Sequence, residues 1–171
     1  PADKKMYALR DVTGTVECIP LICASIMSKK LAEGIDGLVL DVKVGNGAFM
    51  KNIKDAQNLA KGLLEISTIG KKRCAALITD MSQPLGHAVG NSLEVAECIE
   101  ILNNKGPNDL RFLSIELSAQ MILFGKKAGT IERARKTADD ILSSGRALDL
   151  FEKVVKRQNG NLSQLPKAPS I

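Results

Sequence analysis

Apolar and polar positions follow two different periods along this chain, and the switch between them predicts strands and helices in turn. Residues 38–44 and 74–79 are short, nearly continuous apolar runs, which are typical of buried strands. Between them, apolar side chains spaced three and four residues apart predict a helix over 55–69. Because strand, helix and strand follow one another, we expect a mainly parallel sheet with flanking helices.

Most of the remaining chain is predicted to be helical. Residues 17–33 form one predicted helix, which tolerates Pro20 only because it lies in the first turn. An irregular loop is predicted over 80–90, and Asn91 or Ser92 would suit the start of the next helix as its cap. Further helices are predicted over 109–125, 130–144 and 146–157. The chain is therefore assigned to the α/β class.

The composition narrows the expected partners. Of the 171 residues, 44% are hydrophobic and 25% are charged, which is typical of a globular protein. No apolar run approaches the roughly 18 residues of a membrane helix, so we expect no membrane partner. The net charge is +5, but the basic residues are dispersed, and one Tyr with no Trp offers few platforms for bases. We therefore expect no nucleic-acid partner.

The cysteines point to a reducing compartment. None of the four forms a CxxC pair, and the single His cannot complete a common zinc pattern. We expect buried, reduced thiols and a cytoplasmic protein. The cysteines are Cys18, Cys23, Cys74 and Cys98.

One group of polar residues near the start of the chain carries the most chemical information. Ser25 and Lys29 are four residues apart, which places them on one face of the predicted helix. Arg10 adds a planar fork of N–H donors, and Ser25 both donates and accepts. These groups would suit a flat, oxygen-rich ring that becomes anionic. In an arbitrary protein, however, such a pair of polar residues on one helix face is usually exposed and has no functional role.

Other segments have plainer interpretations. The Gly-Asn-Gly sequence at 45–47 follows a strand but lacks the GxGxxG pattern, so a tight turn is favoured over a phosphate loop. Asp41 and Lys43 share one face of their strand and can pair there. His87 is predicted to be an isolated loop histidine.

Three long stretches carry a resemblance to a known family. They are residues 1–50, residues 77–95 (LITDMSQPLGHAVGNSLEV) and residues 145–155 (GRALDLFEKVV). In these stretches and their order, the chain resembles the pyrimidine nucleoside phosphorylase family, which includes thymidine phosphorylase. The resemblance implies phosphorolysis of thymidine, uridine or deoxyuridine to the free base and a (deoxy)ribose 1-phosphate. It also implies a partial two-lobe nucleoside phosphorylase fold.

The resemblance assigns roles to individual residues. Arg10 and Lys29 would hold the ring carbonyl oxygens and stabilise the negative charge of the departing base, which makes them the expected catalytic residues. Ser25 would orient the ring by hydrogen bonding, and Tyr7 matches another position of the base pocket. The expected substrates are a pyrimidine nucleoside and inorganic phosphate, with no organic cofactor.

Some bacterial members of this family bind a monovalent cation, which would be potassium. The matching ligands are the backbone carbonyls of Leu85 and Ala88 and the carboxylate of Glu97. Carbonyl oxygens beside one carboxylate suit a hard cation. The alternative is that Glu97 is an ordinary acid on a helix face. The family also implies a homodimer for the full-length protein.

The resemblance divides the chain between two lobes. Residues 1–33 would be the returning part of a base-binding, dimerising α lobe, residues 34–36 a hinge, and residues 37–158 part of a phosphate-binding α/β lobe. Residues 159–171 would be a loose tail. The family's phosphate-binding segment and active-site histidine have no counterpart in this sequence, and His87 does not match the latter. We therefore expect a central fragment of a longer enzyme, inactive alone.

Three alternatives stay open at this point. A phosphoribosyltransferase of the same fold would use phosphoribosyl pyrophosphate with magnesium, although the spacing of Arg10, Ser25 and Lys29 argues against it. A non-catalytic pyrimidine-binding module would bind uracil or thymine without turnover. A dimerising remnant would show neither binding nor turnover.

Overall fold

A computed structural model describes residues 2–165, and these residues form seven α-helices, two strands and one 3₁₀ turn. The chain divides into two compact units, of which the first ends at Gln83 and the second begins at Pro84. The first unit contains α1 (Ala2–Val12), α2 (Ile19–Ala32), β1 (Gly37–Val44), α3 (Ile53–Ile69) and β2 (Arg73–Asp80). The second contains α4 (Asn91–Leu102), α5 (Asn108–Phe124), α6 (Ile131–Ser143), α7 (Arg146–Arg157) and the 3₁₀ turn Leu162–Gln164.

The two strands pair in parallel, which confirms the predicted strand–helix–strand order. The register runs from Gly37 opposite Arg73 to Val44 opposite Asp80. Helix α3 forms the crossover and packs against both strands. Its predicted apolar face is the buried one, and the side chains of this face are Ala56, Leu59, Ala60 and Leu63.

The core of the first unit lies between α2, α3 and β1. Cys23 and Met27 of α2 meet Leu59 and Leu63 of α3, and Val42 of β1 closes the cluster. Because all five side chains are buried, they fix the position of α2 relative to the sheet. The candidate residues Ser25 and Lys29 lie on this anchored helix.

The second unit is entirely helical within the described residues. Helices α5 and α6 pack closely, and small side chains line the contact, with Ala119 and Ala134 fully buried. Ala138 and Leu142 extend the buried face of α6. Thr130 caps this helix, because its hydroxyl accepts the backbone N–H of Arg133.

Two predictions need correction, and one helix was not predicted. The unpredicted helix is α1, none of whose residues is buried. The cap of α4 is Gly90 rather than Asn91 or Ser92, and its N–H donates to the Oε1 atom of Glu94 at 3.0 Å. Among the cysteines, all of them free thiols, only Cys23 is buried, whereas Cys98 is exposed.

Among residues 2–165, no helix is long and apolar enough to cross a membrane. The predicted loose tail contains the short turn Leu162–Gln164, where Asn161 accepts the N–H of Ser163. The rest of this tail, residues 166–171, lies outside the described part of the chain. The proposed boundaries of two lobes and a hinge stay a prediction.

Candidate functional site

Helix α1 presents Tyr7 and Arg10 side by side, three residues apart. The Arg10 guanidinium lies 5.4 Å from the centre of the Tyr7 ring, within the range of a cation–π interaction. Its Nε atom donates to the carbonyl of Thr15 at 3.3 Å, and Nη2 donates to the carbonyl of Val16. The turn after α1 therefore folds back onto Arg10 and fixes its orientation.

Helix α2 presents Ser25 and Lys29 one turn apart, as their spacing predicts. The Nζ atom of Lys29 lies 3.4 Å from the Oγ atom of Ser25. Both side chains also contact a residue that the sequence did not indicate, Asp3 of α1. Lys29 donates to Oδ2 of Asp3 at 3.0 Å, and Ser25 donates to Oδ1 of Asp3 at 3.4 Å.

These contacts perturb the carboxyl group of Asp3. The hydrogen bond from Lys29 lowers the pKa of Asp3 below its ordinary value, and Ser25 lowers it further. Asp3 was missed because no local pattern relates it to side chains 22 and 26 positions later. In the sequence, Asp3 is simply an acidic residue in the first turn of α1, and acidic residues are common at helix starts.

Tyr7, Arg10, Ser25 and Lys29 line one cavity of about 490 Å³ in the first unit. Its apolar walls come from α2, from the core and from the segments after β1 and β2. These walls include Ile22, Ile26, Phe49, Leu59 and Met81. A concave apolar site with a few convergent polar groups is the usual form of a small-molecule pocket.

The Gly-Asn-Gly segment at 45–47 forms a tight turn, as predicted, and shapes one wall of this cavity. The N–H of Gly47 donates to the carbonyl of Met81 at 2.9 Å. Gly45 has a φ of +129°, and a Cβ atom there would lie 2.7 Å from the backbone nitrogen of Ser82. Glycine is therefore required where the turn crosses the end of β2.

Asp41 and Lys43 pair on their strand, which confirms that prediction. Nζ of Lys43 lies 2.6 Å from Oδ2 of Asp41 and 3.0 Å from the hydroxyl of Thr79. The Thr79 hydroxyl in turn donates to Asp41. The three side chains thus satisfy one another at the carboxyl end of the sheet.

The predicted cation ligands lie in the second unit, around the loop 84–90. Glu97, on α4, is buried, with 5% of its surface exposed. Its Oε1 atom accepts the N–H groups of His87 at 2.8 Å and Ala88 at 3.1 Å. Leu85 is partly exposed in the same loop, and the N–H of Gly86 donates to Asp109 at 3.0 Å.

A second cavity, of about 360 Å³, lies among the helices of the second unit. Its lining contains no charged side chain, and its polar groups are those of Cys98, Ser114 and Ser118. None of the predicted site residues contributes to it. Among the described residues, no group of three or more His, Cys, Asp or Glu side chains could hold a metal ion.

Comparisons with known proteins identify the relatives of this chain. Residues 1–148 match the family described as "Glycosyl transferase family, a/b domain". Pyrimidine-nucleoside phosphorylases of Staphylococcus haemolyticus and Bacillus subtilis are each 52% identical to this chain over 163 residues. That alignment covers 95% of this chain and 38% of each relative. A pyrimidine-nucleoside phosphorylase of Staphylococcus aureus is 51% identical over 161 residues, 94% of this chain and 37% of its own length.

Proposed function

The chain belongs to the glycosyl transferase family, a/b domain, and from that premise we propose that it forms the base-binding part of a pyrimidine nucleoside phosphorylase. The names of its relatives and their identity of 52% support this proposal. The chain spans 38% of the length of these relatives, so the complete reaction is proposed for a protein that contains it. That reaction is phosphorolysis of thymidine, uridine or deoxyuridine.

The observation that carries the proposal is the convergence of Arg10, Ser25 and Lys29 on one cavity. In phosphorolysis, a phosphate oxygen forms a bond to C1′ of the pentose while the bond from C1′ to the ring nitrogen breaks. The electron pair of the broken bond stays on the pyrimidine. Arg10 and Lys29 hold the ring carbonyl oxygens, and their positive charges stabilise the departing anion more than the neutral substrate. Ser25 orients the ring, and Tyr7 holds the Arg10 guanidinium.

The loop 84–90 is proposed to hold a monovalent cation, with potassium as the candidate. The donor set would be the carbonyls of Leu85 and Ala88 and the carboxylate of Glu97. Among the described residues, no cationic side chain forms a salt bridge with Glu97, although its carboxylate is buried. A buried carboxylate held only by N–H groups fits a hard cation as its remaining partner. The ion would stiffen the loop and balance this charge.

The organisation of the complete enzyme is also proposed. Residues 1–33 would belong to the lobe that holds the base and forms a homodimer, and residues 37–158 to the lobe that holds phosphate. A hinge at 34–36 includes Gly34, whose φ is +72°. A cytoplasmic location fits the free thiols of the chain.

The activity test uses a phosphorylase that contains these residues. Phosphate-dependent release of uracil or thymine should fall by about 10²–10³-fold in Lys29→Ala, because one charged donor to the developing anion is lost. Lys30→Ala is the matched control, because Lys30 pairs with Glu33 instead of lining the cavity. Normal turnover in Lys29→Ala would remove the site assignment. Turnover that needs phosphoribosyl pyrophosphate and magnesium instead of phosphate would favour the transferase alternative.

A further inference from the structure

We propose that Asp3 is a specificity-determining positioning residue, which makes the cavity prefer uracil and thymine to cytosine. The proposal deepens the base-binding role proposed above and rests on it. Asp3 belongs to α1 and contacts both Ser25 and Lys29 of α2. One carboxylate therefore joins two polar groups that line the cavity.

Asp3 fixes the direction of the Ser25 hydroxyl hydrogen. A carboxylate has no hydrogen to give, so Ser25 must donate across the 3.4 Å between its Oγ atom and Oδ1 of Asp3. The ammonium of Lys29 can only donate, and it occupies one lone pair of the same hydroxyl oxygen at 3.4 Å. The hydroxyl has one lone pair left. Towards a third group, Ser25 is therefore an acceptor.

Lys29 has a complementary restriction. Of its three N–H groups, one points to Asp3 at 3.0 Å and one to Ser25. The remaining N–H can donate to a ligand, and it carries positive charge. Ser25 and Lys29 therefore present two groups to a ligand. Ser25 presents a hydrogen-bond acceptor, and Lys29 presents a charged donor beside it.

This pair matches the imide edge of uracil and thymine. Their ring nitrogen at position 3 carries a hydrogen, which the Ser25 oxygen can accept, and the adjacent carbonyl oxygens can accept from Lys29. Cytosine presents a bare ring nitrogen and an amino group at the same edge. The bare nitrogen would face the lone pair of Ser25, and the amino group would face the ammonium of Lys29. Unpaired polar groups of this kind are the strongest source of discrimination in a binding site.

Removal of the Asp3 charge should release this restriction. In Asp3→Asn, the side-chain amide can donate to Ser25, so the hydroxyl hydrogen can turn towards a ligand. The ratio of uracil affinity to cytosine affinity should then fall about tenfold. Asp3→Glu keeps an acceptor-only group and should restore most of the preference.

The experiment is a titration of the full 171-residue chain with uracil and with cytosine, followed by NMR chemical shifts. The unaltered chain, Asp3→Asn and Asp3→Glu are compared with Glu33→Gln as a control. Glu33 is a similarly exposed carboxylate that pairs with Lys30 on α2, outside the cavity lining. The control should keep the uracil preference of the unaltered chain.

A double-variant cycle separates this role from a structural one. If Asp3 acts through Ser25, Asp3→Asn in a Ser25→Ala background should cause no further change in the affinity ratio. Ser25→Ala alone, which leaves the pair of Asp3 and Lys29 intact, should lose the same preference. In Asp3→Asn, an equal loss of uracil and cytosine binding would overturn only the proposed role of Asp3. An unchanged ratio of uracil affinity to cytosine affinity would do the same. Absence of uracil binding by the unaltered chain would overturn the proposed base-binding role on which this inference rests.

Discussion

The Nζ atom of Lys29 lies 3.0 Å from the Oδ2 atom of Asp3, although 26 positions separate the two residues in sequence. About half of each side chain is exposed, so the ion pair adds little to stability. Its consequence is geometric, because it holds α1 beside α2 at the point where both helices carry cavity residues. The pair therefore connects the fold of the first unit to its proposed chemistry.

The ion pair predicts how Asp3 titrates. Its pKa is lowered mainly by the hydrogen bond from Lys29, so the folded chain keeps Asp3 ionised at a lower pH than the unfolded chain does. The stabilisation is complete above the ordinary aspartate pKa and is lost as the pH falls through the lowered value. In Lys29→Met, the pKa of Asp3 should rise towards its ordinary value, as measured by ¹³C NMR of the carboxyl carbon. Lys30→Met should leave it lowered, and an unchanged pKa in Lys29→Met would contradict the ion pair.

The glycine turn after β1 predicts a sharp difference between two alanine substitutions. Gly45→Ala should destabilise the chain by about 1–3 kcal/mol, because a residue with a Cβ is strained at positive φ. A Cβ atom there would also collide with Ser82. Gly129→Ala is the control, since a Cβ atom there meets nothing within 4 Å. Urea denaturation measures the free energy of unfolding of each variant. Equal values for Gly45→Ala and Gly129→Ala would show that position 45 does not require glycine.

Glu97 predicts the local stability of the loop 84–90. In Glu97→Ala, the N–H groups of His87 and Ala88 lose their acceptor, so both amides should exchange with deuterium faster. Glu100→Ala, on the same helix, should leave these amides protected. Unchanged exchange at His87 and Ala88 in Glu97→Ala would mean that another group holds the loop.

Elements with a strong apolar pattern were predictable from the sequence. The spacing from Ala56 to Leu63 predicted α3 and its buried face, and two apolar runs predicted the paired strands. Helix α1 was not predictable in the same way, because none of its residues is buried and no core selects its pattern. Its position depends on polar contacts with α2 that only the folded chain brings together.

In the candidate site, too, local features were predictable from the sequence and non-local contacts were not. The spacing of Ser25 and Lys29 on α2 followed from helical periodicity, because it is a local property. The contact of both residues with Asp3 is not local, so no sequence pattern predicts it. Likewise, the burial of Glu97 depends on how the loop 84–90 folds over α4, and the residues of α4 alone do not encode it.

Mapping uracil binding on the ¹⁵N-labelled 171-residue chain by NMR tests the proposed pyrimidine site without intermediate steps. We predict that saturable shifts concentrate at Tyr7, Arg10, Ser25 and Lys29 and disappear in Arg10→Ala, whereas Arg146→Ala in the second unit keeps them. Saturable shifts confined to other residues, or no uracil binding at all, would contradict the claim that these four side chains form a pyrimidine site.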